Sequence, residues 1–305
     1  MEFTSFTALV REEVERRTGE RYRVRLNDVR KNNGVVLSGL TVTQDDSNIS
    51  PTIYLNTYYE EYMTGQATLL NVVNDVMDTY HRNKVNQSVD MRYFLNYESV
   101  RRRVVYKLVN TEKNKELLGD VPHVEYLDLS IVFQCLVAQE ELGAASILIH
   151  NVHLKLWDIT VEDLYQDAAQ NTQRLQEYEI KSMSDVLCEI TEADCPKDFD
   201  YEACRAEFSD SVPMYVLSNK SRVEGAACML YPDLIRDFSN AVGSSLYIIP
   251  SSVHELLMLP TASEKESGEI KRMIRDINDT QVRAEEILSY SLYFYDRDAG
   301  KIVRL

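Results

Sequence analysis

Segments with the two-residue period of a β-strand alternate along this 305-residue chain with segments that have helical spacing. Residues 3–17 place apolar side chains at helical positions, whereas residues 22–26 alternate arginines with apolar or aromatic side chains. The sequence Asn32-Asn33-Gly34 follows, and an Asn-Gly pair is typical of a tight turn between antiparallel strands. This mixture predicts an α+β fold in which small antiparallel sheets pack with helices.

The chain is longer than the roughly 100–200 residues of a typical domain, so we expect two domains. The first is predicted at residues 1–87, as a helix, a hairpin and further helices. A larger α+β region is predicted at residues 88–305, with a candidate split in the acidic stretch 194–210. Its first element is predicted to be a helix over residues 97–110. The later predicted strands are 123–127, 129–137, 144–149, 214–217, 226–230, 246–249, 256–259, 290–295 and 301–304, and the later predicted helices are 160–175, 182–189, 233–243 and 265–277.

The charge of the chain disfavours general nucleic-acid binding. Asp and Glu number 49 against 33 Lys and Arg, and the net charge of −16 repels a phosphate backbone over about 8–10 Å at physiological salt. Residues 158–210 carry 15 acids against 4 bases. This acidic segment is interpreted as a solvated helix face with a loop, or as a docking surface for a basic partner.

Neither a membrane span nor a signal peptide is predicted. The longest strongly apolar stretch is 129–138, and it is interrupted by Gln134, whereas a bilayer requires about 20 residues. The N-terminus opens an acidic amphipathic segment instead of a basic and then apolar one. We therefore expect a cytoplasmic protein without membrane association. The sequence leaves the oligomeric state undetermined.

The five cysteines fit reduced thiols in a cytosol. Six and eight residues separate Cys188, Cys195 and Cys204, and these spacings do not fit the usual zinc-binding pattern. Cys135 and Cys228 lie in apolar surroundings and are interpreted as core residues.

The phosphate-binding patterns G-x-G-x-x-G and G-x-x-x-x-G-K-[ST] and the nucleophile pattern G-x-S-x-G are absent, so no cofactor is predicted.

The best local candidate for a metal site is the pair His150 and His153. Both imidazoles lie on one side of a helix that opens near these residues, within reach of one metal ion. In the architectural alternative, Asn151 caps that helix and the histidines bond to nearby backbone.

The adjacent residues His254 and Glu255 are the candidate catalytic pair, because an imidazole beside a carboxylate can perform acid–base chemistry near neutral pH. The following residues, Leu-Leu-Met, lack the second histidine of a zinc protease motif. The alternative is that His254 anchors a turn.

Three consecutive arginines, Arg101–Arg103, are interpreted as a solvated face or as partners of the acidic segment, with an anion site as the alternative. The 19 tyrosines either line a binding groove or close the edges of the core. Asn151 and Tyr215 are the predicted ligand-binding residues.

Several stretches resemble an uncharacterised bacterial family, the proteins with domain of unknown function 5688. The stretches that carry this resemblance are Lys31-Asn32-Asn33-Gly34, residues 51–55, 96–98, 104–108, 148–153 and 212–217, and Pro250-Ser251-Ser252-Val253-His254-Glu255. A more distant likeness to a second uncharacterised bacterial family runs through the helix at residues 168–171 and the proline-centred C-terminal strand pair. The resemblance implies a cytoplasmic bacterial setting and a role linked to mobile elements. It implies no catalytic residue.

The sequence thus predicts a binding or regulatory protein that recognises a protein or a small ligand through a tyrosine-lined concave face. The alternative is a hydrolase-type enzyme that uses His150, His153, His254 and Glu255, either with or without a bound metal ion. Nucleic-acid recognition through Arg101–Arg103 is a third hypothesis, and the net charge argues against it.

Overall fold

The α+β class is confirmed by the computed structural model, which describes residues 1–44, 50–84, 91–137, 145–194, 200–207, 213–261 and 267–305. Its helices are α1 (Phe3–Thr18), α2 (Leu55–Met63), α3 (Leu69–Asn83), α4 (Tyr97–Val100), α5 (Lys115–Leu118), α6 (Asn151–Trp157), α7 (Val161–Leu175), α8 (Met183–Asp194), α9 (Tyr201–Glu207), α10 (Leu234–Val242) and α11 (Ser267–Thr280). Its strands are β1 (Tyr22–Arg30), β2 (Val36–Gln44), β3 (Thr52–Tyr54), β4 (Val104–Asn110), β5 (His123–Tyr126), β6 (Leu129–Leu136), β7 (Ser146–Leu148), β8 (Tyr178–Ser182), β9 (Tyr215–Asn219), β10 (Ser245–Ile249), β11 (Leu256–Thr261), β12 (Tyr293–Asp296) and β13 (Lys301–Arg304).

The described residues form two compact units, Met1–Leu95 and a second unit made of Asn96–Val137 and Ser146–Leu305. The predicted domain boundary at residue 87 falls within residues 85–90, which lie outside the described residues. Part of the candidate split at 194–210 also lies outside them, and its described part contains α9.

The first unit packs α1, α2 and α3 with the antiparallel sheet β1-β2-β3. Phe6, Val10 and Val14 recur every four residues on α1 and are fully buried, because this spacing puts them on one face of the helix. The predicted Asn-Gly turn joins β1 to β2, and Asn33 and Gly34 both adopt positive φ there. These residue types adopt that backbone conformation with little strain, which fixes the register of the hairpin.

The second unit contains two antiparallel sheets. In the four-stranded sheet, β6 pairs with β4, β5 and β7. The six-stranded sheet has the order β13-β12-β10-β11-β9-β8. Among the described helices, none combines the length and apolarity that a membrane crossing requires.

The predicted helix over residues 97–110 is wrong in its second half. Only Tyr97–Val100 is helical, Arg101–Arg103 form a 3-10 turn, and Val104–Asn110 are strand β4. Both faces of β4 are buried, so its sequence is apolar throughout and lacks the alternation that marks a half-exposed strand. The predicted strand at 226–230 is likewise wrong, because Gly225–Leu230 form a buried 3-10 helix.

The carboxylate of Asp128 links the two sheets of the second unit. Asp128 lies in the tight turn between β5 and β6 and accepts hydrogen bonds from the hydroxyls of Ser289 (2.6 Å), Ser291 (2.9 Å) and Tyr293 (2.6 Å). Burial acts to raise the pKa of Asp128, but these three donors together hold it below its ordinary value. The side chain of Asn110 adds a second link by donating to the carbonyl of Leu288 at 3.0 Å.

Replacing the carboxylate in Asp128→Asn is expected to lower the free energy of unfolding by about 2 kcal/mol, because three hydrogen bonds lose a charged acceptor. The pKa of Asp128 is lowered on folding, so its contribution is complete above the unfolded pKa of about 3.9 and is lost as the pH falls through the folded value. Urea unfolding between pH 7 and pH 3 measures the difference, which should shrink at the acidic end. Asp298→Asn, at an exposed aspartate of the same unit, is the control. Equal stability of the two variants at pH 7 would contradict this role.

Candidate functional site

Helix α7 supplies one wall of a cavity in the second unit. It begins at a capping box in which Thr160 accepts from the Asp163 N–H and Asp163 accepts from the Thr160 N–H, as the sequence Thr-x-Glu-Asp predicts. Leu164 and Ala168 are fully buried on the inner face of the helix. The hydroxyl of Thr172 accepts from the backbone N–H of Tyr106 at 3.1 Å, which ties α7 to β4.

Asn171 fixes the arginine turn against this helix. Its buried side-chain amide donates to the carbonyls of Arg101 (2.6 Å) and Val104 (3.0 Å). The backbone N–H of Val104 also donates to the Arg101 carbonyl and closes the 3-10 turn. Asn171 therefore holds the turn in place at the point where the chain enters β4.

Between the arginine turn and α7 lies a cavity of about 640 Å³, which we call the arginine cleft. On α7, Asp167, Gln170, Asn171 and Arg174 follow the helical repeat and share one face. The described residues that line the cleft are Glu98, Arg101, Arg102, Asp167, Gln170, Asn171 and Arg174.

The charges of the arginine cleft are unevenly paired. Arg101 donates to Glu98 at 3.1 Å and to Asp167 at 3.2 Å, and its hydrogen bond to the Asp167 carboxylate is the main cause that raises the pKa of this guanidinium. Arg174 donates to the carbonyl of Arg102 at 2.7 Å and to the side-chain oxygen of Asn171 at 3.1 Å. Neither Arg102 nor Arg174 forms an ion pair with a carboxylate of the described residues, and both are exposed. The cleft therefore presents two guanidinium groups without a carboxylate partner, and its arginines exceed its carboxylates by one charge.

None of the predicted site residues lines the arginine cleft. Arg101 pairs with an acid of the segment 158–210, as one interpretation of the arginine run predicted. Arg102 is exposed to the cleft, which is the position that the anion-site alternative requires. The run of three arginines was the feature of the sequence that indicated this cleft. Arg174 lies 72 residues from Arg102 and gave no local signal of its own.

The two histidines proposed as metal ligands each have a protein partner. His150 Nδ1 lies 2.7 Å from an oxygen of Asp120, and His153 Nδ1 accepts the backbone N–H of His150 at 2.9 Å. Burial, followed by the neighbouring His150, lowers the pKa of His153, which favours the neutral ring that this bond requires. Among the described residues, no group of three or more His, Cys, Asp or Glu side chains is arranged to hold a metal ion.

The side chains of His254 and Glu255 contact different parts of the structure. Nδ1 of His254 accepts the backbone N–H of Glu224 at 3.2 Å, and its Nε2 lies 3.5 Å from an oxygen of Glu286. The Glu255 side chain instead lines a smaller cavity together with Val216. The two predicted catalytic side chains therefore do not form a pair.

The residue that His254 supports, Glu224, belongs to a half-buried polar cluster. Its carboxylate pairs with Lys107 at 2.7 Å and accepts from the side-chain amide of Gln134. Glu224 has a φ of 56°, a conformation that is unfavourable for a side chain of this type. Gly225 follows in close contact with β9, where an added Cβ would lie 2.6 Å from both the Asn219 nitrogen and the His254 carbonyl oxygen.

The predicted ligand-binding residues have structural contacts. Asn151 is the first residue of α6, its backbone N–H donates to the carbonyl of Asp120, and the residue at the N-cap position is His150. Tyr215 begins β9 and packs edge-on against Phe238, with the ring centres 5.0 Å apart.

The expectation of reduced cysteines is wrong for Cys188 and Cys204, which form a disulfide between α8 and α9. Cys195 lies outside the described residues. Cys135 and Cys228 are free and buried, as expected for core residues, and burial raises the pKa of each thiol to about 11. Such thiols remain protonated near neutral pH and are poor nucleophiles.

Comparison with known proteins places the chain in a sequence family and gives no further relative. A model described as a family of unknown function, DUF5688, matches residues 3–297. No curated protein and no solved structure matches the chain. The resemblance to this family found in the sequence is confirmed, and the site must be interpreted from its own geometry.

Glu224→Gln is expected to lower the free energy of unfolding by about 3 kcal/mol, because it leaves the Lys107 ammonium half-buried without its carboxylate. Glu112→Gln is the matched control. It breaks a Lys–Glu pair of similar length, 2.6 Å to Lys115, in which both side chains are more than two-thirds exposed. This control should change stability by less than about 0.5 kcal/mol. Denaturant unfolding of both variants measures the contrast, and similar losses in the two would show that burial of the Lys107 pair contributes nothing.

Proposed function

Since the chain belongs to the DUF5688 family of unknown function, we propose from its geometry that it is a binding or regulatory protein for a small anionic ligand held in the arginine cleft. The observation that carries the proposal is the exposure of Arg102 and Arg174 to one cavity without a carboxylate partner. The ligand class is a phosphate- or carboxylate-bearing small molecule.

The chemistry of the cleft suits such an anion. A guanidinium presents a planar set of N–H donors that matches the oxygens of a carboxylate or phosphate, and charge-assisted hydrogen bonds are stronger than neutral ones. Gln170 adds an exposed amide on the same face of α7. Asp167 and Asn171 are already committed to holding Arg101 and the arginine turn, so the donors are positioned before a ligand arrives.

The size of the cleft and the charge of the chain favour a small ligand over a nucleic acid. A volume of about 640 Å³ lies within the roughly 300–1,000 Å³ typical of small-molecule sites. A long polyanion would extend beyond the cleft onto a molecule with a net charge of −16, and its phosphates would be repelled there. A small anion meets only the local charge.

The cytoplasmic location and the link to mobile elements remain part of this proposal. They rest on the character of the N-terminal segment and on the family resemblance, and the Cys188–Cys204 disulfide weighs against the cytoplasmic location. The same proposal includes a protein partner. Such a partner binds by placing an acidic side chain or a phosphorylated residue in the cleft.

The hydrolase alternative has one observation in its favour, the 3.5 Å approach of His254 Nε2 to the Glu286 carboxylate. Nδ1 of that ring accepts a backbone N–H, so in the neutral ring Nε2 carries the proton and faces Glu286. This arrangement leaves no ring nitrogen available to accept a proton from a substrate. The binding proposal therefore has the stronger support.

The cleft should bind inorganic phosphate, pyrophosphate and citrate in isothermal titration calorimetry at low ionic strength. Arg102→Ala removes one charge-assisted partner and is expected to raise the Kd about tenfold. Arg272→Ala, at an exposed arginine on α11 outside the cleft, should leave the Kd unchanged. Thermal unfolding of both variants checks that they are folded. Equal anion affinities for the two variants, or no binding of the three anions at millimolar concentration, would exclude the proposal.

A further inference from the structure

A second cavity of the same unit has a different chemistry. We propose that this cavity, between α8 and the six-stranded sheet, binds a small ligand with an ammonium group and a short apolar body. We call it the α8 cavity, and the described residues that line it are Glu179, Lys181, Met183, Val186, Val216, Ser218, Arg222, Glu255 and Leu257. It shares no lining residue with the arginine cleft.

The floor of the α8 cavity is one face of the sheet. Lys181 pairs in register with Val216, and Val216 pairs in turn with Leu257. Side chains directly opposite each other on neighbouring strands point to the same side. Leu217 and Leu256, on the intervening positions, point to the other side and are fully buried in the core. The floor is therefore a rigid surface whose outer side chains converge on the cavity.

Helix α8 covers this floor with apolar side chains. It follows β8 directly, and the hydroxyl of Ser182 accepts the backbone N–H of Asp185 at its first turn. Met183 and Val186 in this first turn face the cavity. Together with Val216 and Leu257 they form an apolar interior beneath a charged rim.

The cations on the rim are already neutralised. Lys181 bonds to Glu189 at 2.5 Å and to Glu179 at 3.1 Å. Arg222 bonds to Glu189 at 2.6 Å and approaches Glu179 at 3.9 Å. A ligand anion would have to break these pairs, so the cavity disfavours anions.

Glu255 is the charged group left without a partner. Its half-buried carboxylate forms no hydrogen bond or ion pair with any described residue. Ser218 also lines the cavity, but it is buried and its hydroxyl donates to the His254 carbonyl at 2.7 Å. The carboxylate of Glu255 above an apolar floor matches an alkylammonium group with its carbon chain directed inward.

The volume limits the size of that chain. About 220 Å³ corresponds to roughly seven water molecules at about 30 Å³ each. A ligand of about seven non-hydrogen atoms fits, and n-hexylammonium is a probe of this size. For so small a ligand the expected Kd is on the order of 1 mM.

The test is an NMR titration of the full chain with n-hexylammonium, with 1-hexanol as a neutral probe of equal length and with hexanoate as an anionic one. The cation is expected to bind about tenfold more tightly than the alcohol, and hexanoate more weakly than both. Glu255→Gln should abolish the preference for the cation over the alcohol. Glu125→Gln, at an exposed glutamate outside the cavity, should retain it.

A second variant separates the cavity from the charge. Val216→Phe fills the floor and should remove binding of both the cation and the alcohol, with thermal unfolding as the check that the variant is folded. The proposal is overturned by equal binding of the cation and the alcohol, by tighter binding of hexanoate, by a cation preference that survives in Glu255→Gln, or by no binding of n-hexylammonium at all. None of these results depends on Arg102, so the outcome is independent of the anion proposal.

Discussion

Half-buried polar contacts join the two sheets of the second unit, and the elements that line both candidate sites are attached to these sheets. Asp128 accepts three hydroxyl donors from the chain around β12, and the Lys107–Glu224 pair joins β4 to the loop after β9. Apolar packing alone is non-directional and tolerates sliding of one sheet over another. Half-buried charges with several partners favour one arrangement, because a shift leaves a partly desolvated group without its hydrogen bonds. These contacts therefore fix the position of one sheet relative to the other.

The arginine cleft and the α8 cavity illustrate two ways of leaving a charge uncompensated. At the cleft, the carboxylate of Asp167 is used on Arg101, and Arg102 and Arg174 are left facing solvent. At the α8 cavity, the two cations are used on Glu179 and Glu189, and Glu255 is left. In both places, neighbouring ion pairs neutralise the other charged groups. The expected ligand carries the charge opposite to that of the groups that remain unpaired.

Local signals in the sequence predicted the elements with a clear period or a capping residue, such as the strand after Tyr22 and the helix that Thr160 caps. They failed at 104–110 and 226–230, where burial on all sides removes the polar positions that reveal a period. The candidate sites were less accessible to prediction. Arg102 was visible within a run of arginines, but whether a carboxylate meets it depends on contacts distant in sequence.

The loop that carries Glu224 passes over β9 so closely that position 225 has room for a hydrogen atom only. Any larger residue would push the backbone away from Asn219 and His254, and with it the carboxylate that meets Lys107. Position 225 is thus a diagnostic for the rest of the family. A relative that retains glycine there is able to build the same crossing, whereas a relative with a side chain at that position must route this part of its chain differently.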